Sequence, residues 1–177
     1  MTPLVEALAH HQAGRLAEAA SRYRDVLAAE PRNPDALYLL GILARQAQQP
    51  ETAIELIRQA IGLRDGVAQF HHHLGAAFLD AGDKESARKA FIRALQLDPR
   101  YVDSLLSLAN LLAETGDNEA ALTCFTAALR LRPGDANVAL RVALLQQKPA
   151  EKPTEASRAP AKATRRAPRK RTPAKAP

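Results

Sequence analysis

Tryptophan is absent from the 177 residues, cysteine and methionine occur once each, and aromatics make up only 4% of the chain. A single cysteine, Cys124, cannot close an internal disulfide. It falls inside a predicted helix beside Phe125, where a small packed hydrophobe is expected rather than a nucleophile. No run of about twenty apolar residues occurs, so no membrane-spanning helix is expected. The opening stretch, MTPLVEALAHHQAGR, has no basic region ahead of an apolar core. No secretory signal is therefore expected, and a reducing, cytoplasmic setting fits. A glycine-rich phosphate loop, a Cys or His pair at metal-ligand spacing and a G-x-S-x-G motif are missing too. His71, His72 and His73 are consecutive, and helical neighbours point about 100° apart, so the three cannot converge on one ion. His10 and His11 meet the same obstacle. No catalytic residue, cofactor or metal is expected, and the chain reads as a non-enzyme.

The net charge of +6 hides a division. From residue 148 onward there are ten Lys or Arg against two Glu, which leaves residues 1–147 at −2. The same thirty residues hold six of the twelve prolines and no aromatic, Leu, Ile or Val. Such a stretch cannot bury enough apolar area to offset the entropy of ordering it, so 148–177 is expected to be a disordered basic tail. Its Lys/Pro/Ala bias resembles linker-histone-like tails.

What the chain has in plenty is repetition. Residues 68–101 read as two short amphipathic helices broken at Gly82-Asp83, which supply a helix stop and a new N-cap. In the second helix Ala87, Phe91, Ala94 and Leu95 form one apolar stripe, and Pro99 ends it. Near-copies flank this unit at a period of 34 residues. Gly14, Gln48, Gly82 and Gly116 share one column, and Ala19, Ala53, Ala87 and Ala121 another. Tyr23, Ile57, Phe91 and Phe125 share a third, and Pro31, Asp65, Pro99 and Pro133 a fourth. Gly41, Gly75 and Ala109 stand where a first helix needs a small side chain for its neighbour to approach. Neither helix of a unit has the apolar surface to stand alone, so each unit must pack on its copies. The expected units are 1–33, 34–67, 68–101 and 102–135. In the first of them the expected helices are Pro3–Gln12 and Leu16–Ala29. A final helix, Ala136–Gln147, has no partner and is read as a cap over the last apolar face.

The 34-residue pattern resembles the tetratricopeptide repeat family, in its bacterial form. The third unit carries the signature as His71-x2-Leu74-Gly75-x2-Phe78, Ala87-x3-Phe91 and Pro99. The resemblance covers residues 1–147 and departs at Asp65, in place of a closing proline, and at Gln48, in place of a turn glycine. The second-unit turn is accordingly expected to be less rigid. His71 takes the signature aromatic position and packs, while His72 and His73 are expected to face groove or solvent.

The resemblance implies an all-α solenoid, a right-handed superhelix of antiparallel helix pairs whose first helices line a concave groove for another protein. Carried across column by column, the groove positions are Leu8 and His11 in the first unit and Tyr38, Ile42 and Arg45 in the second. They continue with His72, Ala76 and Leu79, then Leu106, Asn110 and Ala113, and with Leu140 and Leu144 on the cap. An apolar floor with a few polar handles suits an amphipathic helix or an extended peptide. Chaperone-binding members clamp a terminal carboxylate with Lys, Asn and Arg. Here those columns hold Leu4, Leu8, Leu39, Gln69 and His73, so that specificity is not expected. The stretch from Leu8 to Gly41 also resembles repeats that precede glycosyltransferases similar to O-linked N-acetylglucosamine transferase. The asparagine-ladder column of those repeats holds Leu39, His73, Ser107 and Arg141, and the transferase domain is missing.

The functional expectation is a protein-interaction scaffold, with the tail as a second module for polyanions. Lys162, Arg165, Arg166, Arg169, Lys170, Arg171 and Lys175 would contact a nucleic-acid backbone by counterion release, without reading sequence because no aromatic is present to stack on bases. Alternatives are a nucleic-acid-associated protein driven by the tail, and a substrate-recruiting accessory to a separate transferase. An anionic membrane surface or an acidic protein would also suit the tail. So would the chain's own body, near Asp35, Asp80, Asp103 and Glu114.

Overall fold

The computed structural model describes residues 2–147. These form nine helices and no strand: α1 (Pro3–Gln12), α2 (Leu16–Ala29), α3 (Pro34–Gln46), α4 (Pro50–Leu63), α5 (Ala68–Asp80), α6 (Lys84–Leu97), α7 (Val102–Glu114), α8 (Asn118–Leu131) and α9 (Ala136–Gln147).

Local chemistry starts and stops each helix. Proline opens α1, α3 and α4, where a missing N–H costs nothing. Asn33 Oδ1 accepts from the Ala36 N–H at 3.0 Å, and Asp83, Asp117 and Asp135 cap α6, α8 and α9 in the same way. Within each unit the first helix ends in one recurring device. Gly14, Gly82 and Gly116 take positive φ, and the next N–H reaches back to the third-last helical carbonyl. Those bonds are Arg15 to His10 at 3.0 Å, Asp83 to Phe78 at 2.9 Å and Asp117 to Leu112 at 2.9 Å. Gln48 adopts the same left-handed conformation at φ 57°, and Gln49 bonds Ala44 at 2.9 Å. The turn without glycine therefore has the same geometry as the others. The side chain leaves backbone strain there.

Each first helix packs on its own second helix, and that second helix packs on the first helix of the next unit. First helices of successive units also touch, α3 with α5 and α5 with α7. The seam inside each unit is set by the alanine and large-residue columns. Ala19, Ala53, Ala87 and Ala121 are fully buried, as are Tyr23, Ile57 and Phe91, with Phe125 almost so. Large side chains fill the space that the alanines leave. At Gly41 the approach is so close that a Cβ would stand 2.7 Å from Ile57 Cγ1.

The second unit lacks its closing proline, and a polar network stands there instead. Buried His71 Nε2 lies 2.9 Å from the Asp65 carbonyl oxygen and 3.0 Å from its carboxylate, as the N–H donor. Arg93, from α6, donates to the same carboxylate at 2.7 Å. That Arg93 bond is the largest influence holding the Asp65 carboxyl below the usual range. The network ties the end of unit two to both helices of unit three.

Helix α9 packs on α8, and Val138 is buried in that contact. Leu140 and Leu144, on its other side, remain 59% and 54% exposed.

Candidate functional site

Successive first helices touch one another, α3 with α5 and α5 with α7, so they form the inner row on which the expected groove positions lie. Of the groove positions expected from the sequence, Leu8, His11, Ile42, Arg45, His72, Ala76, Leu79, Leu106, Asn110 and Ala113 are half-buried, and Leu140 and Leu144 are exposed. Tyr38 departs from the expectation of a groove surface. It is 4% exposed, its ring stacked on Phe70 with centroids 4.4 Å apart and standing edge-on to His73 at 5.5 Å. The Tyr38 ring thus reaches the next first helix and packs there as wall.

Two apolar clefts lie at opposite ends of the row. The N-terminal one, about 450 Å³, is bounded by Leu4 and Leu8 of α1, Tyr38 and Leu39 of α3, and Gln69 and Phe70 of α5. The C-terminal one, about 390 Å³, is bounded by Ala113, Phe125, Arg141, Leu144 and Leu145. Column transfer names Leu8, Tyr38, Ala113 and Leu144 among these and misses Leu4, Leu39, Gln69, Phe70, Phe125, Arg141 and Leu145. Four of the missed residues lie on columns already used for other comparisons, Leu4, Leu39 and Gln69 on the clamp columns and Arg141 on the ladder column. The signal was therefore present but attached to a different specificity.

Between the clefts the floor turns polar. His72 Nδ1 lies 3.1 Å from the hydroxyl of fully buried Ser104, and its ring meets Tyr101 and Phe91 at 5.2 and 5.6 Å. His72 and His73 were expected to face groove or solvent. Both are half-buried, with ring centroids 5.0 Å apart. Burial, with smaller contributions from His72 and Arg45, pushes the His73 imidazole down to about 4. Burial lowers His72 as well, and it raises the Tyr38 phenol. The cluster is therefore uncharged at neutral pH apart from Arg45 at its edge. Four buried polar atoms here have no partner among the described residues: Tyr38 Oη, Arg45 Nε, His73 Nδ1 and Asn110 Oδ1.

The carboxylates expected at the groove mouth are already matched. Asp35 pairs with Arg64, Asp80 with Arg45 at 3.4 Å, Asp103 with Arg132 at 3.4 Å and Glu114 with Lys84 at 3.1 Å. Those four do not form a bare acidic landing for a basic tail. Lys162, Arg165, Arg166, Arg169, Lys170, Arg171 and Lys175 lie outside the described residues. Among the described residues, no three or more His, Cys, Asp or Glu gather in a way that could hold a metal. No helix there is long and apolar enough to cross a membrane.

Comparisons with known proteins agree with this geometry. The rat (Rattus norvegicus) N-alpha-acetyltransferase 25, the auxiliary subunit of NatB, is 28% identical over 108 residues, 59% of this chain. The match spans only 11% of that protein's own length. Among solved structures, MamA superposes with a TM-score of 0.72 at 24% identity, covering 78% of this chain and 81% of MamA. The O-GlcNAc transferase of Thermobaculum terrenum superposes with a TM-score of 0.69 at 27% identity, over 72% of this chain and 25% of the enzyme. The family model described as tetratricopeptide repeat matches residues 4–68 and 73–136, well over half of the sequence. With its helix pairs, its left-handed turns and its alanine seams all in that register, the chain belongs to the tetratricopeptide repeat family.

Proposed function

We propose that this chain is a cytoplasmic protein-interaction adaptor that holds a segment of a partner protein in its concave groove. The observation that carries the proposal is the row of partly exposed apolar side chains running from Leu8 through Ile42, Leu79 and Leu106 to Leu140 and Leu144. Stacked repeats present such a surface without a catalytic centre, and their curvature suits an elongated ligand. The rat relative is by name an auxiliary subunit of an acetyltransferase, which is in keeping with an accessory role.

A pull-down with the full chain and two variants tests it. Ile42→Glu with Leu79→Glu puts charge into the groove, whereas Ile92→Glu charges an exposed site on α6. The adaptor reading expects the partner band to disappear with the groove variant and to survive with Ile92→Glu. Equal retention by both variants overturns the groove as the binding surface.

The second module in this proposal, the basic tail, rests on charge, ten cations against two carboxylates in thirty residues. Affinity for random-sequence DNA should fall steeply with salt and vanish when 148–177 are removed. Salt-independent binding, or binding by residues 1–147 alone, removes that role.

A further inference from the structure

Helix α9 carries two apolar stripes. Val138, Val142 and Leu145 belong to the solenoid core, Val138 fully and the other two in part. On the opposite side of the helix Ala136, Leu140, Ala143 and Leu144 stand at offsets of zero, four, seven and eight. Every second helix has a stripe with the same spacing and the same alternation of small and large, as in Ala19, Tyr23, Val26 and Leu27 of α2 or Ala87, Phe91, Ala94 and Leu95 of α6. In α2 and α6 those residues are buried or half-buried, whereas in α9 Ala136, Leu140 and Leu144 are exposed. A terminal helix that ends a solenoid turns a polar face outward, and α9 does not.

The other end of the chain has the complementary face. Thr2, Val5 and Ala9 form an exposed line on α1, with Val5 47% exposed. Thr2 shares its column with Ala36, Phe70 and Ser104, and Ala9 shares its column with Leu43, Ala77 and Leu111, all six of them buried. In those later units a preceding second helix packs on the first helix. Leu43 lies in one apolar cluster with Ala19 and Tyr23 of α2, and Ala77 in another with Ala53 of α4. No second helix precedes α1 among the described residues.

We infer that copies of this chain stack head to tail, with α9 of one copy lying on α1 of the next as a second helix lies on the first helix that follows it. The inference goes beyond the proposed groove function, which Ile42 and Leu79 test without touching this junction. Charge selects the pairing. Aligned by its stripe, Arg141 of α9 falls on the column of Arg24 in α2, and Glu6 of α1 falls on the column of Leu40 in α3. Arg24 and Leu40 border one cleft within the chain, so the same packing between copies brings Arg141 beside Glu6 of the next copy. Neither Glu6 nor Arg141 forms an ion pair among the described residues. A second α9 in that place would instead bring two Arg141 side chains together. Residues 148–177 do not supply the cover, because they contain no aromatic, Leu, Ile or Val with which to meet Leu140 and Leu144. The junction joins unlike surfaces, so it adds copies in a row rather than stopping at a pair.

Sedimentation of the nuclease-treated full chain over a concentration series tests it. The weight-average mass should climb past that of two copies as concentration rises. Val5→Arg, which blocks the head, and Leu140→Glu with Leu144→Glu, which blocks the tail end of the row, should each sediment as single copies with unchanged melting temperatures, since all three positions are exposed. Mixed together, the two variants should form a pair and go no further, because one keeps an intact α9 and the other an intact α1. Glu6→Arg should weaken wild-type association about tenfold by setting like charges together, and adding Arg141→Glu in the same chain should restore it. A wild-type mass that stays at one copy across the series overturns the inference. So does Val5→Arg that still pairs with itself, which would mean a symmetric contact between two α9 helices. Failure of the mixed variants to pair, or of Arg141→Glu to rescue Glu6→Arg, overturns the α9-on-α1 junction as well.

Discussion

Gly75 and Phe91 are in contact so close that the glycine has no room for a side chain. A Cβ on Gly75 would stand 2.6 Å from Phe91 Cε1 and 2.7 Å from Cδ1. Phe91 is fully buried, held between its own unit and the next, so the ring has nowhere to retreat. The same column holds Gly41 against Ile57, and in the fourth unit Ala109, which is fully buried.

Gly75→Ala should therefore destabilise the solenoid by about 1–3 kcal/mol, the range for overpacking a closed core. Gly62→Ala is the control. It lies inside α4 with nothing within 4 Å of its missing Cβ, and should gain about 0.5–1 kcal/mol from helix propensity. Urea unfolding of both variants measures the contrast, and a loss at both positions would contradict it.

Gln48 lies in the left-handed region at φ 57°, where three of the four equivalent positions are glycine. Gln48→Gly should raise stability by about 0.5 kcal/mol, the relief of a strained residue reduced by the extra freedom glycine has when unfolded. Gly82→Gln should move the midpoint the other way. The pair of shifts, opposite in sign, is the measurement.

Ala87 is buried with no exposed surface, at the seam between α5 and α6. Ala87→Leu should cost about 1–3 kcal/mol by forcing those helices apart. Ala28→Leu, at an exposed position near the end of α2, should change the thermal midpoint very little. Equal losses at the two sites would mean that the column assignment is wrong.

Acid should weaken the groove before it weakens the rest. His73 is pushed from 6.5 to about 4 by burial, with His72 and Arg45 adding to the effect and Asp103 opposing it. Its folded form thus binds a proton less readily than its unfolded form. Stability is fully present above about pH 6.5 and is lost as pH falls toward 4, by an amount on the order of 3 kcal/mol. His72 is lowered too and acts in the same direction. Urea midpoints at several pH values should show this slope, and His73→Leu should flatten much of it. An unchanged slope in His73→Leu would place the acid sensitivity elsewhere.

Much of this could be read from the chain before any coordinates. The bounds of α1 and α2 follow from Pro3 and the Gly14 break, and the structure has them at the same residues. The packing of His71 was also legible, since it occupies an aromatic column. The groove was legible only by column. Tyr38 shows why: its column fixes the direction of Cβ, but whether the ring lines a surface or closes a wall depends on Phe70 and His73 of the next unit. Asp65 was visible as a departure, while its bonds to His71 and Arg93 join residues up to 28 positions apart and had no local signature.

The sequence by itself determined the repeat length, the helix ends and which face of each helix is apolar. These depend on neighbours within one or two turns, and such interactions recur wherever the same residues do. Tertiary structure alone decided which polar atoms are left without partners, where the clefts open and which carboxylates are already matched. Those are properties of side chains from different units meeting at close range. A shift of a few tenths of an ångström between stacked helices changes them and leaves every column of the repeat untouched.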